Sequence, residues 1–314
     1  MENTCFLNDV DEVLYPEFQT KNDELDENKK EEKKQRKAEY IKNHPEYYKT
    51  IEQKKDYKKA KAKERNYNRR QNEKQKIYEQ VKNMSKEEKE KFYDNYYQDK
   101  EIKKQKIKEN LKNAYNSNFI ICFDLDYDIY MDNKELRSLA LQLSICHKLN
   151  KYNKTKINYY FTSIKQELID EINKNNGDKW PVHYEEKPFY LIEELINLKK
   201  EFIYLSPDAE EDLDDVSEDK IYIIGGLVDR QVIKNRSMIR FNNIKNNNNE
   251  GNKEIKIQAK RLPLQKYLDN INNPILNVNT VVEILSLYMD MEKDKKDWKK
   301  ALECALPKRK IEIK

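Results

Sequence analysis

The composition of this 314-residue chain breaks at Asn118, and that break limits what can fold. Before it, apolar residues are sparse and set among lysines, arginines and glutamates; after it, short apolar runs alternate with periodic helical stretches. Phe119-Ile-Ile-Cys-Phe-Asp124-Leu-Asp126 reads as a buried strand ending in carboxylates. Asp132 and Glu135 have the capping-box spacing ahead of Leu136, Leu139, Leu141 and Leu143, which predicts a helix to about His147. Further strands are expected at Lys156 to Thr162, Phe202 to Leu205, Ile221 to Gly225 and near Gln258 to Leu262. Helices are expected after Ser163, whose spacing to Gln166 predicts a cap, near Val232 to Phe241, and from a Thr280/Glu283 cap to about Met291. Strands alternating with helices imply an α/β fold with a mostly parallel sheet covered on both faces.

The front of the chain is of another kind. The net charges of residues 1–28, 29–80, 81–116 and 117–314 are −8, +10, +3 and −1. Residues 1–28 read as an acidic disordered tail, and 29–116 as a basic helical extension suited to a polyanion. Tyr40, Tyr47, Tyr48, Ile51, Tyr57 and Tyr67 form only a thin apolar stripe, interrupted by Pro45, so this part is expected to be helical when docked and loose when free. Ser85 with Glu88 has capping-box spacing and predicts a second helix from about Lys86 to Ala114. The plainer reading of 29–116 is a solvated charged helix or coiled coil. Asn242 to Asn252 reads as an exposed low-complexity loop without a packed role.

Half of the chain's four glycines sit in Tyr222-Ile-Ile-Gly225-Gly226-Leu-Val-Asp229-Arg230. A glycine pair at the end of a buried strand permits backbone angles and close ligand approach that a Cβ would block, and ligands of open α/β sheets gather beyond strand carboxyl ends. Asp229 follows as a candidate acid/base group. An ordinary Gly-Gly turn with a surface aspartate is the competing reading. With the other glycines at 177 and 251, neither GxGxxG nor a Walker A loop is present, and GxSxG and HExxH are also absent. The four cysteines (Cys5, Cys122, Cys146, Cys304) and three histidines (His44, His147, His183) lack zinc-ligand spacing, so no metal is expected. No apolar run approaches a membrane span and the acidic start is unlike a presequence, which leads to an expectation of nucleus and/or cytoplasm.

Six short patterns follow one another in the second half. They are Asp124-Leu125 with Met131-x-x-x-Glu135-x-x-Ser138-Leu139-x-x-Gln142; Tyr204-Leu-Ser-Pro-Asp208; Ile223-Ile-Gly-Gly-Leu-Val-Asp229-Arg230; Arg261-Leu-Pro263; Leu276-x-Val278-Asn279-x-Val281; and Trp298-x-x-Ala301 with Pro307-Lys-Arg-Lys310. In this order, residues 117–310 resemble the tRNA purine-9 N1-methyltransferase family, a branch of the SPOUT methyltransferases. The resemblance implies a carboxy-terminal trefoil knot in a domain spanning 117–314, with S-adenosyl-L-methionine as cofactor and tRNA as partner. It assigns the cofactor to Leu205, Gly225, Gly226, Asp229, Arg230, Gln231, Ser237, Leu262 and Leu276, and catalysis to Asp229 and Gln142. Gln231, Asn235 and the Asn-rich insertion depart from the family pattern.

The implied reaction is methylation of purine N1, most readily guanine, at position 9 of tRNA. Guanine N1 must lose a proton as it attacks a methyl sulfonium, so Asp229 is the expected general base or a base-orienting carboxylate. Gln142 is expected near the purine, with a helix-surface amide as the plainer reading. Unpairing the base costs a few kcal/mol, which phosphate contacts must supply. Those contacts are assigned to Lys58, Lys59, Arg65, Arg69 and Arg70 in the extension, and to Arg230 and Lys234 beside the pocket; the basic end Lys308-Arg309-Lys310 suits the same task. A monomer is expected. The alternative is a non-catalytic RNA-binding protein that retains a SPOUT fold.

Overall fold

The computed structural model describes residues 43, 45–228, 235–250, 255–268 and 275–306. The chain packs as two compact units that part between Tyr97 and Gln98. In the first unit the main element is helix α1, Pro45–Val81, a 37-residue helix. Among its described side chains, Val81 at its end is the buried apolar residue. Helix α2, Lys86–Tyr115, starts as its sequence predicts. The Ser85 N–H donates to Glu88 Oε2 at 2.7 Å, and the Glu88 N–H donates to Ser85 Oγ at 3.3 Å. The carboxyl end of α2 belongs to the second unit: Ala114 is buried, Asn110 Nδ2 donates to the Lys151 carbonyl, and the Tyr115 ring stacks on His183 at 4.2 Å.

The second unit is built on strands β1 (Ile120–Asp124), β2 (Asn158–Thr162), β3 (His183–Glu185), β4 (Glu201–Leu205), β5 (Lys220–Gly225) and β6 (Ile257–Lys260). They form one parallel sheet in the order β3-β2-β1-β5-β4-β6. In β1, β2, β4 and β5 nearly every position is buried, as a sheet covered on both faces requires. Alternate residues go to opposite faces. Ile121, Phe123, Tyr159, Phe161, Ile203, Tyr222 and Ile224 join one core with helix α3 (Asn133–Tyr152), helix α8 (Val278–Asp290) and helix α9 (Trp298–Ala305). Ile120, Cys122, Tyr160, Phe202, Tyr204, Ile221 and Ile223 join the other, closed by Phe241 and Ile244 of helix α6 (Arg236–Glu250). The shorter helices are α4 (Gln166–Asn173), α5 (Glu193–Asn197) and α7 (Leu264–Tyr267).

The capping box of α3 is present in full. Asp132 accepts from the N–H groups of Lys134 and Glu135, and Glu135 accepts from that of Asp132. The other two expected caps of this unit are absent. Ser163 adopts a left-handed φ of 54° in the turn leaving β2, and α4 starts at Lys165 without a side-chain cap. Thr280 lies buried inside α8, whose N-cap is Asn277. There a tertiary contact replaces the local cap, because Gln142 Oε1 of α3 accepts the Val278 N–H at 2.9 Å. The Asn-rich run is also corrected: α6 continues through residues 242–250, anchored by buried Ile244, and is not an exposed loop there. Residues 251–252 of that run lie outside the described residues.

Candidate functional site

Strand order reverses direction between β1 and β5, and the sheet opens at its carboxyl edge near this point, where ligands of parallel sheets collect. A cleft lies there. Leu205 at the end of β4, Ser206 just beyond it, Ile224 and Gly225 of β5, and Tyr127 from the loop after β1 line it. Arg236 and Ser237, the first residues of α6, also line it, as do the apolar side chains of Leu262, Ile275, Leu276 and Val278. Ser206 and Ser237 join hydroxyls at 2.7 Å, and Ser206 Oγ also accepts the Asp208 N–H. Asp208 Oδ2 in turn accepts the Asn235 N–H at the entrance to α6. The lining thus combines apolar side chains with hydroxyls, a carboxylate and a guanidinium, a mixture that fits a nucleoside with a charged tail.

Of the expected cofactor residues, Leu205, Gly225, Ser237, Leu262 and Leu276 line this cleft. Gly226 sits behind it, its N–H donating to the Asp124 carbonyl at 2.7 Å. Asp229, Arg230, Gln231 and Lys234 lie outside the described residues, as does the basic end Lys308 to Lys310. The reason given for the glycine pair needs correction. Neither glycine has a positive φ, so no special backbone angle is in use. Space is the constraint: a Cβ on Gly225 would stand 3.3 Å from the Tyr127 ring, and one on Gly226 would stand 2.4 Å from Leu125 Cδ2.

Behind the cleft lies a polar network that sequence reasoning missed. Asp124, fully buried at the end of β1, receives Arg240 Nε at 3.1 Å and Nη2 at 3.3 Å, while Arg240 Nη1 pairs with Asp126 at 2.7 Å. Tyr204 donates to Asp124 Oδ2 at 3.2 Å and shares a 2.7 Å hydrogen bond with Tyr127. Burial raises the pKa of both phenols, so they remain neutral donors. Burial opposes the charge on Arg240, but Asp124 and Asp126 more than offset it and hold the guanidinium protonated. The only sequence signal was a strand ending in two carboxylates; Arg240 is more than a hundred positions away.

The remaining calls separate. Gln142 is buried, with Nε2 donating to Ser138 Oγ at 3.4 Å and Oε1 holding Val278, so it supports the cleft wall through α8. In the first unit Lys59, Arg65, Arg69 and Arg70 are exposed along α1, the helix that also carries Lys58.

Comparison with known proteins gives the family. A family model described as tRNA (guanine(9)-N(1))-methyltransferase TRM10/TRM10A matches residues 28–311. The tRNA (guanine(9)-N1)-methyltransferase of Schizosaccharomyces pombe is 31% identical over 203 residues, 64% of this chain and 62% of that protein. The tRNA methyltransferase 10 homolog B of Danio rerio is 30% identical over 211 residues, 63% of this chain and 61% of its own. The match therefore spans a little under two thirds of the length of these relatives. A crystal structure described as full-length spTrm10 in complex with SAH aligns with a TM-score of 0.50 at 29% identity, covering 61% of this chain and 96% of that one.

Proposed function

The chain belongs to the TRM10/TRM10A family of tRNA (guanine(9)-N(1))-methyltransferases, and from that premise we propose that it methylates N1 of guanine at position 9 of tRNA, using S-adenosylmethionine. One observation carries the reading: five residues that the sequence resemblance assigned to the cofactor, from four separate segments, converge on one cleft at the carboxyl edge of the sheet. The cleft fits this cofactor in kind, with the apolar side chains of Leu262, Leu276 and Val278 for a base and the hydroxyls of Ser206 and Ser237 for a ribose. When bound, the cofactor supplies an electrophilic methyl group. The carboxy-terminal trefoil knot that the resemblance implies belongs to the same proposal.

Asp229 follows the glycine pair by three residues and is the group proposed to accept the guanine N1 proton or to orient the base. A carboxylate near a sulfonium cation is a weaker base, which favours orientation over proton abstraction. The basic extension is proposed to grip the tRNA backbone through Lys58, Lys59, Arg65, Arg69 and Arg70, helped by Arg230 and Lys234 near the cleft, so that phosphate contacts offset the cost of unstacking the base. Gln142 keeps its proposed place near the target purine, and its amide also seats α8, Nε2 donating to Ser138 and Oε1 accepting from Val278. The enzyme works as a monomer.

The test is direct. Unmodified tRNA is incubated with the protein and cofactor carrying a labelled methyl group, and its nucleosides are resolved by mass spectrometry. Labelled 1-methylguanosine located at position 9 is the expected product. Tight tRNA binding without any labelled nucleoside would identify a non-catalytic RNA-binding protein instead.

A further inference from the structure

The network behind the cleft touches more of the cleft than any of its members does alone. The Asp124 carbonyl holds the N–H of Gly226, next to the lining residue Gly225. Its carboxylate holds Tyr204, which directly precedes the lining residues Leu205 and Ser206, and through Tyr204 it fixes the hydroxyl of Tyr127, itself a lining residue. It also holds Arg240, one helical turn beyond Arg236 and Ser237 on α6. Four parts of the cleft are therefore registered on a single buried residue, one through its main-chain carbonyl and three through its carboxylate.

Stability alone does not account for such an arrangement. Arg240 keeps 18% side-chain exposure and Asp124 none, and a buried ion pair of this kind is often no more stabilising than well-packed apolar residues of similar volume. A guanidinium fork and a phenol do something that apolar packing does not, because they fix direction. The second core cluster surrounds the same region with Phe202, Phe241 and Ile223, so apolar material to fill the site is at hand in the fold.

We propose that Asp124, with Arg240 and Tyr204 acting through it, is a positioning centre for cofactor binding, which keeps Tyr127, Gly225 and the Ser206–Ser237 pair in the spacing the cofactor requires. The inference rests on the reading that this cleft takes S-adenosylmethionine. None of the three side chains is assigned a contact with the reacting atoms. Tyr204→Phe breaks the link between Asp124 and Tyr127 while leaving the ring in place. Asp124→Asn keeps the size of the side chain but removes the charge, and Arg240→Lys keeps the charge but loses the fork.

The full chain and these variants are titrated with S-adenosylmethionine and S-adenosylhomocysteine by calorimetry, and their melting temperatures are measured alongside. Methyl transfer to tRNA is followed over a range of cofactor concentrations. In Tyr204→Phe the expected result is a tenfold or greater rise in Kd for both ligands, with the kinetic loss falling on the cofactor KM rather than on kcat and a melting temperature within a few degrees of wild type. Arg240→Lys should bind more weakly than wild type but better than Arg240→Met, a partial rescue that follows the fork geometry. Cofactor affinity within twofold of wild type in folded Tyr204→Phe and Asp124→Asn would overturn the inference and leave the methyltransferase reading intact. A wild-type protein that binds neither ligand would overturn both. Affinity losses that vanish when a stabilising osmolyte restores the melting temperature would reduce the network to a folding element and overturn the positioning role.

Discussion

Gly225, the last residue of β5, and Gly226 beyond it differ in what a side chain would meet, so they make different predictions. At Gly226 an added Cβ would collide with Leu125 and press on the Asp124 carbonyl at 3.2 Å, groups of the core that have no free direction to move. Gly226→Val is expected to cost about 1–3 kcal/mol by overpacking, read as a melting temperature lowered by several degrees. Gly225→Ala meets only the Tyr127 ring, so stability should hold while the ring shifts into the cleft and cofactor affinity falls several-fold by calorimetry. His147 gives a prediction in pH. Its ring is buried and stacked on Trp180 at 5.0 Å, and burial, reinforced by Lys151 and Lys148, lowers its pKa to about 4. An unfolded histidine titrates near 6.5, so between these values the unfolded chain binds the extra proton; the stabilisation is complete above about pH 6.5 and is lost as pH falls toward 4. At pH 5 the loss is on the order of 2 kcal/mol. Urea midpoints at pH 7.5 and 5 should differ more for wild type than for His147→Phe, and equal slopes would remove His147 from the account. For Asp229→Asn, single-turnover methylation should drop at least tenfold with tRNA affinity unchanged; a full rate would move the proposed role to another residue.

Ile244 tests the largest correction at the level of elements. The run from Asn242 is mostly asparagine, and composition alone favours a loop, yet α6 continues through it because Phe241 and Ile244 fall on one helical face and join the core cluster of β4 and β5. Ile244→Ala should cost about 2–4 kcal/mol, whereas Asn243→Ala should be close to neutral; thermal melts of the two separate a packed helix from a loop. Strands were legible because a sheet covered on both faces writes itself as continuous apolar runs, and the capping boxes at Ser85 and Asp132 were legible because both partners are local. The caps at Ser163 and Thr280 had the same spacing and failed. At α8 the free N–H is met by Gln142, which no local pattern can disclose. Gly225 was found because a glycine pair at a strand end points to a site, whereas Leu205, Ser237, Leu262 and Leu276 came from the family resemblance and not from any local pattern. The Asp124–Arg240 pair was not, because an ion pair between positions so far apart leaves no periodic trace in the chain.

For the molecule as a whole, the division of labour between basic extension and sheet unit can be measured. Ala114 and Tyr115 pack within the second unit, so a truncation that tests the extension has to end at Tyr97 rather than beyond α2. A chain beginning at Gln98 should keep near-normal cofactor affinity while losing much of its tRNA affinity. Its plot of log affinity against log salt should also be shallower, each lost phosphate contact contributing roughly 0.7–0.9 to the slope. An unchanged slope would mean that α1 is a solvated helix with no part in RNA binding. The sheet has a consequence in time as well as in space. β1 lies at the centre beside β5, with Ile120 in register with Ile221, so its partner on that side is roughly a hundred residues further along the chain. During synthesis Phe119 to Asp124 must wait, uncovered on that edge, until Gly225 has left the ribosome, and contacts of such long separation make for slow closure. This apolar strand is therefore one that a chaperone would meet early and shield until its late partner arrives.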